Sequence, residues 1–319
     1  MAQRLDETAK GVYAIAATPF ADDGALDLDS TRRMVAFYLD CGVSGLTILG
    51  VMGEAPKLAP DESVAFTECV LEAVGGRVPV IVGVSSPGLD PMAALTARVM
   101  DLGAAGVMVA PMGGLNTDEK IEGYFHAVCN RLGDVPVVLQ DYPPSTGVWM
   151  STPLLTRLFA ALPALKMLKH EDWPGLRKLT QFRAAEAAGA HKRKSILVGN
   201  GGVFLPQELA RGADGAMTGF AFPEMLVQVC DRHAAGDVDG AEDLFDAYLP
   251  LVRYEQQVGI GLAIRKETLR RRGVIATPAT RAPGPKLDAD DAAELTRLLD
   301  RLYAALAVRG VATDFYPAV

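Results

Sequence analysis

Eight apolar runs of strand length recur through the first two-thirds of this chain, and their spacing constrains the fold more than any other feature. They cover residues 12–17, 45–49, 78–83, 105–110, 135–140, 164–169, 195–199 and 215–218. Each run is apolar throughout rather than alternating, the pattern of parallel strands covered on both faces. Amphipathic stretches with helix start signals lie between them. Asp29 and Ser30 precede 31–41, Pro60-Asp61-Glu62 precedes 63–74, and Thr152-Pro153 precedes 154–162. Gly42, Gly75-Gly76, Gly103 and Gly212 close several of these stretches. The runs start roughly 20 to 35 residues apart, the length of a strand–helix unit. Eight such units predict an α/β fold, a (β/α)8 TIM barrel. A doubly wound open sheet has the same repeat and stands as the alternative, because strand count does not establish closure.

Beyond about residue 223 the strand signals stop. Residues 225–235, 237–257, 261–272 and 289–308 read as helices, joined by a Pro-rich connection at 277–285. The expected division is a barrel with the active site over 1–223 and a C-terminal helical appendage over 224–319. Half the chain is apolar, too much for disorder. No apolar run is long enough to span a bilayer, so a membrane is not an expected partner. Residues 1–10 are polar and lack the apolar segment of a secretory signal. Cys41, Cys69, Cys129 and Cys230 lie far apart without a Cys-x-x-Cys pair. Neither structural zinc nor a disulfide framework is expected, and a reducing, cytoplasmic setting fits. A net charge of −8 argues against nucleic acid as a partner. The short basic clusters at 191–194 and 270–272 read as solvated faces.

In a barrel the reacting groups sit at the C-terminal ends of strands and in the loops that follow. The polar residues there are Thr18, the turn Gly50-Val51-Met52-Gly53-Glu54, the pair Gln140-Asp141, Lys169-His170-Glu171 and the loop Gly199-Asn200-Gly201-Gly202. A lysine at the end of a buried strand is poorly solvated, which favours the free amine. A free amine condenses with a ketone to a Schiff base, an electron sink. Lys169 is preferred for this over Lys166, which has the opposite strand parity and lies nearer the strand start. By the same period of two, Glu171 shares the inward face with Lys169 and His170 faces the helices. Glu171 reads either as a proton carrier or as a plain ion-pair partner. The Gly50 turn and the Gly199 loop each present glycine-rich backbone that can hold a carboxylate or receive a hydroxylated chain. Asp141 reads as an acid–base group or a loop cap. Pro143-Pro144 stiffens the loop after it.

Gly50-x-x-Gly-Glu54, Pro143-x-x-Thr-Gly147 and Lys169 fall in the order and spacing of a known group. With Thr18-Pro19-Phe20 and the helical tail, nearly the whole chain resembles the dihydrodipicolinate synthase / N-acetylneuraminate lyase superfamily. The resemblance implies a (β/α)8 barrel with C-terminal helices, a 2-keto acid substrate, no cofactor, and assembly into dimers or tetramers. It implies that Lys169 forms the imine and that Gly50, Val51, Met52 and Gly53 cradle the substrate carboxylate. Four departures narrow it. Val51-Met52 replaces two hydroxylated residues, and Gln140-Asp141 replaces Tyr-Asn. Ser145 replaces an arginine that grips a second carboxylate, and Pro111-Met112-Gly113 replaces Pro-Tyr-Tyr. Condensation in the diaminopimelate pathway is therefore not expected. The Gln-Asp pair, the aliphatic turn and Lys169-x-Glu171 are similar to the L-2-keto-3-deoxyarabonate dehydratase-like subgroup. The Gly199 loop departs from that subgroup and leaves the sugar acid open.

The expected reaction is dehydration. Lys169 forms an imine at C2, Glu171 or a bound water removes the C3 proton, and Gln140 and Asp141 orient or protonate the departing C4 hydroxyl. The imine takes the place of a Lewis acid, and the four histidines are scattered, so no metal is expected. Thr18, Gly199 and Asn200 complete the expected substrate contacts. Three alternatives remain at this point: a pyruvate-forming aldolase, a deaminating lyase, and a sugar-acid sensor without catalysis.

Overall fold

A computed structural model describes residues 4–173 and 175–311. Its strands are β1 (Gly11–Ile15), β2 (Gly45–Ile48), β3 (Val80–Gly83), β4 (Gly106–Val109), β5 (Val137–Asp141), β6 (Leu165–His170), β7 (Ser195–Val198) and β8 (Gly215–Thr218). They pair in parallel and in sequence order, and β8 returns to β1. The sheet is a closed TIM barrel, which excludes the open doubly wound alternative.

Strand parity sorts the apolar residues into two cores. Tyr13, Ile15, Ile81, Met108, Val138, Met167, Leu197 and Met217 point inward and fill the barrel, with Leu5 added from the N-terminal segment. Val12, Ala14, Leu46, Ile48, Val82, Val109, Leu139 and Val198 point outward beneath the helices. Those helices are α1 (Leu28–Asp40), α2 (Pro60–Val74), α3 (Leu89–Asp101), α4 (Asp118–Leu132), the single turn α5 (Pro143–Thr146), α6 (Thr152–Ala161), α7 (Leu176–Ala187), α8 (Leu205–Ala210) and α9 (Pro223–Ala234). Helix α1 starts earlier than the sequence reading placed it. Asp27 is its cap, accepting from the Ser30 amide at 2.8 Å.

One irregularity positions the site. Val137 pairs with Leu165 and Val138 with Met167, so Lys166 is an extra residue bulged out of β6. Its Nζ pairs with Glu7 Oε1 at 3.0 Å, toward the start of the strand. The bulge leaves Met167 and Lys169 both facing the barrel interior.

Helix α9 packs on β1 and on α8, closing the outer ring. Beyond it, α10 (Val238–Glu255) lies against α9, α11 (Gly261–Arg271) and α12 (Ala289–Val308). The buried faces of α10 and α12 join the same core as the outer strand faces. The expected division at 223 thus falls at the first residue of α9, a helix seated on the barrel itself. No helix among the described residues is long and apolar enough to cross a membrane. The four cysteines are free and buried.

Candidate active site

Because Met167 lies in the interior core, Lys169 and Glu171 follow it inward at period two, and His170 turns toward the helices. On β5, Gln140 is the register partner of Lys169, and Asp141 that of His170. Lys169 is 4% exposed, Glu171 7% and Gln140 4%, so water competes little for their contacts. Glu171 Oε2 lies 2.9 Å from Lys169 Nζ and accepts a hydrogen bond from Gln140 Nε2 at 2.7 Å. All three line a cavity of about 370 Å³ at the C-terminal end of the barrel.

The loop after β7 is built around Glu171. A side chain at Gly199 would collide with the Glu171 carboxyl group, so only glycine leaves room for it. Asn200 adopts φ +53°, and its Nδ2 donates to the Glu171 carbonyl at 3.1 Å. The Gly201 amide donates to Thr218 Oγ1 at 2.8 Å, tying the loop to β8. Asn200 and Thr218 both line the cavity.

After β2 the chain makes one tight turn, Val51–Gly53, between two residues of positive φ, Leu49 and Glu54. The Gly53 amide closes it on the Gly50 carbonyl at 3.0 Å. The Val51 and Met52 amides, at the start of the turn, have no acceptor within it, and both residues line the cavity. That backbone can hold a substrate carboxylate. Thr18 is fully buried and holds the turn from behind, donating to the Gly53 carbonyl at 2.6 Å. Glu54 is a clamp. Its Oε1 accepts from Lys266 Nζ at 2.6 Å, and its Oε2 accepts from Lys57 Nζ at 2.9 Å and the Arg281 amide at 3.0 Å.

The structure does not bring Asp141 to the cavity. It is fully buried on the outer side of β5, with Oδ2 2.5 Å from Lys178 Nζ and 3.8 Å from His170 Nδ1. Lys178 also pairs with Asp172 at 3.0 Å. Burial alone would depress the imidazole pKa of His170, but the nearby Asp141 charge and the Gly175 carbonyl outweigh it and raise the pKa. His170 Nε2 lies 2.9 Å from the Gly175 carbonyl. Asp141 is thus locked in an ion-pair network behind the site, where it cannot touch a ligand in the cavity.

Tyr142 and Arg265 are among the cavity residues that escaped the sequence reading. Tyr142 shares the parity of Gln140, a signal that was available. Burial, helped by the Glu171 charge, raises the pKa of its phenol, which is therefore protonated at neutral pH. Arg265 arrives from α11, and nothing in its local sequence marks it. Chemically, Glu171 can take the proton of the Lys169 ammonium and leave a nucleophilic amine against the cavity. Among the described residues no three His, Cys, Asp or Glu side chains are grouped to hold a metal ion.

The sequence matches the dihydrodipicolinate synthetase family over residues 8–302. It is 34% identical over 296 residues to the L-2-keto-3-deoxyarabonate dehydratase of Azospirillum brasilense, spanning 92% of this chain and 94% of that protein. It is 30% identical over 247 residues to the 4-hydroxy-tetrahydrodipicolinate synthase of Thiobacillus denitrificans, spanning 76% and 81%. Among solved structures, dihydrodipicolinate synthase from Rhodopseudomonas palustris matches with a TM-score of 0.92 at 46% identity, covering 94% of this chain and 100% of that one.

Proposed function

The chain belongs to the dihydrodipicolinate synthetase family of Schiff-base lyases, and we propose that it dehydrates a 2-keto-3-deoxy sugar acid of the L-2-keto-3-deoxyarabonate kind. The observation that carries the reading is Gln140 bonded to Glu171 at 2.7 Å. Carbon–carbon cleavage requires the C4 hydroxyl to lose its proton, and dehydration requires the same hydroxyl to gain one. Glutamine has no titratable proton to relay. It holds Glu171 in place beside the amine.

The proposed sequence uses Glu171 twice. Lys169 adds to C2 and water leaves, giving the iminium. Glu171 takes the C3 proton, and the electron pair of the C–H bond forms the enamine. The enamine expels the C4 hydroxyl, which departs as water with the proton that Glu171 returns. Hydrolysis of the remaining imine restores Lys169, and the balance is the loss of one water. The Val51 and Met52 amides hold the C1 carboxylate in this account. No arginine stands at position 145 to grip a second one.

A second reading, aldol cleavage to pyruvate, is favoured by Tyr142, a phenol in the cavity. Its raised pKa keeps the phenol protonated at neutral pH, so it offers no phenolate to take the C4 hydroxyl proton, which returns the balance to dehydration. The names of two relatives point to a third, condensation of pyruvate with aspartate semialdehyde. One experiment separates them. Incubation with 2-keto-3-deoxy acids should give mainly a product lighter by one water, and borohydride should trap the substrate on Lys169. Release of mostly free pyruvate would establish the aldolase instead, and efficient condensation with aspartate semialdehyde the synthase. We further propose that copies of the chain associate as dimers or tetramers, which a mass measurement in solution checks.

A further inference from the structure

Arg265 of α11 is 2% exposed, yet it forms part of the cavity wall. Its Nε donates to Glu255 Oε1 at 2.6 Å, and its Nη2 donates to the Gly219 carbonyl at 2.5 Å. The other oxygen of Glu255 accepts from the Ala221 amide at 3.1 Å. Glu255 is therefore satisfied and offsets the guanidinium charge. One guanidinium nitrogen is left over. Nη1 is buried and makes no hydrogen bond among the described residues. It lies against Gly219, another cavity residue, where any side chain would collide with it. Leaving a buried donor unmet is costly, so its retention at a cavity wall points to an acceptor brought by a ligand.

We infer that Arg265 takes the oxygen at the far end of the substrate chain, and that it selects a terminal hydroxyl over a terminal carboxylate. The inference rests on the keto-acid reading above. The selection follows from charge. A carboxylate placed at Nη1 would meet a cation already neutralised by Glu255, and would itself feel the Glu255 charge in a poorly solvated wall. A hydroxyl needs only the spare N–H. The substrate class is then a monoacid, a 2-keto-3-deoxy aldonate ending in CH2OH, rather than a diacid ending in a second carboxylate.

The test compares two 2-keto-3-deoxy acids of equal length, one ending in CH2OH and one in a carboxylate. The wild-type enzyme should favour the hydroxyl-ended acid in kcat/KM by at least about tenfold. In Arg265→Lys the positive charge against Glu255 remains while the forked donor is lost. KM for the hydroxyl-ended acid should rise about tenfold with kcat within about twofold. Equal or better turnover of the carboxylate-ended acid by wild type overturns the inference, whether or not the variant folds. So does an unchanged KM in a folded Arg265→Lys. Borohydride trapping of pyruvate on wild-type Lys169 is run alongside. Failure there removes the keto-acid reading and this inference with it, whereas success with an unmoved KM removes the inference alone.

Discussion

A single oxygen of Glu171 meets both the Lys169 ammonium and the Gln140 amide, so the acid–base behaviour of the site depends on one atom. Glu171→Gln keeps the size of the side chain and removes its basicity. Turnover should fall about 10²- to 10⁴-fold, the range for a lost general base. The borohydride adduct on Lys169 should still form, because water can take the ammonium proton in place of the carboxylate. Mass spectrometry of the trapped enzyme beside steady-state rates checks both. Turnover near wild type would show that Glu171 is only an ion-pair partner. Lys169 and Glu171 were legible because a strand's period of two carries both to one face. The same rule turns Asp141 away from Gln140 and brings Tyr142 back, but adjacency in the Gln-Asp pair obscured it. Arg265 was not legible, since no local pattern announces which helix residue will roof a distant barrel.

At the scale of elements, α8 is one of the pieces hardest to read from sequence, and it carries a buried acid. With only six residues, it is too short for its apolar period to be read. The eight strands were legible because both their faces are buried, which makes them apolar from end to end. The bulge at Lys166 was invisible, since nothing in its composition distinguishes an extra residue from a paired one. Glu208 of α8 is buried, and its Oε2 has no hydrogen-bond partner among the described residues. Burial pushes its pKa up to about 7 from 4.5, with the Glu171 charge adding to the rise and His170 opposing it. The folded state therefore holds this proton at pH values where the unfolded chain has released it. Stability from this group falls as pH rises from about 4.5 to about 7 and is lowest above that. Glu208→Gln keeps a neutral group of the same shape. It should match wild type at pH 4 and be more stable at pH 8, by up to about 3 kcal/mol at roughly 1.4 kcal/mol per pH unit. Denaturant titrations at the two pH values measure the difference. Parallel pH profiles for the two proteins would show that Glu208 is ionised in the fold.

At the scale of the whole molecule, the C-terminal helices help to build the site. In sequence, Glu54 is the end of a short motif and Lys266 an unremarked helix residue 212 positions away. In space they form a buried pair, and Lys266 lies over the Phe20 ring at 4.5 Å. The pair anchors to α11 the same turn whose Val51 and Met52 line the cavity, and α11 also supplies Arg265 to the cavity wall. A chain divided near residue 223 would lose both. Lys266→Met tests this coupling with a side chain of similar length and no charge. Removing one partner of a buried pair typically costs about 3–5 kcal/mol. Here Lys57 and the Arg281 amide still face Glu54, so about 3 kcal/mol is expected, seen as a Tm lower by several degrees. The loosened turn should raise KM for the keto acid, while saturating pyruvate is still trapped on Lys169. Adding Glu54→Gln removes the uncompensated charge and should restore most of the lost stability. It should not restore KM, because the turn still lacks its tie to α11. If the double variant recovers both, the charge mattered and the tether did not. If the single variant loses neither, the helices rest on the barrel without shaping the turn, and substrate grip at Val51 and Met52 is a property of the barrel alone.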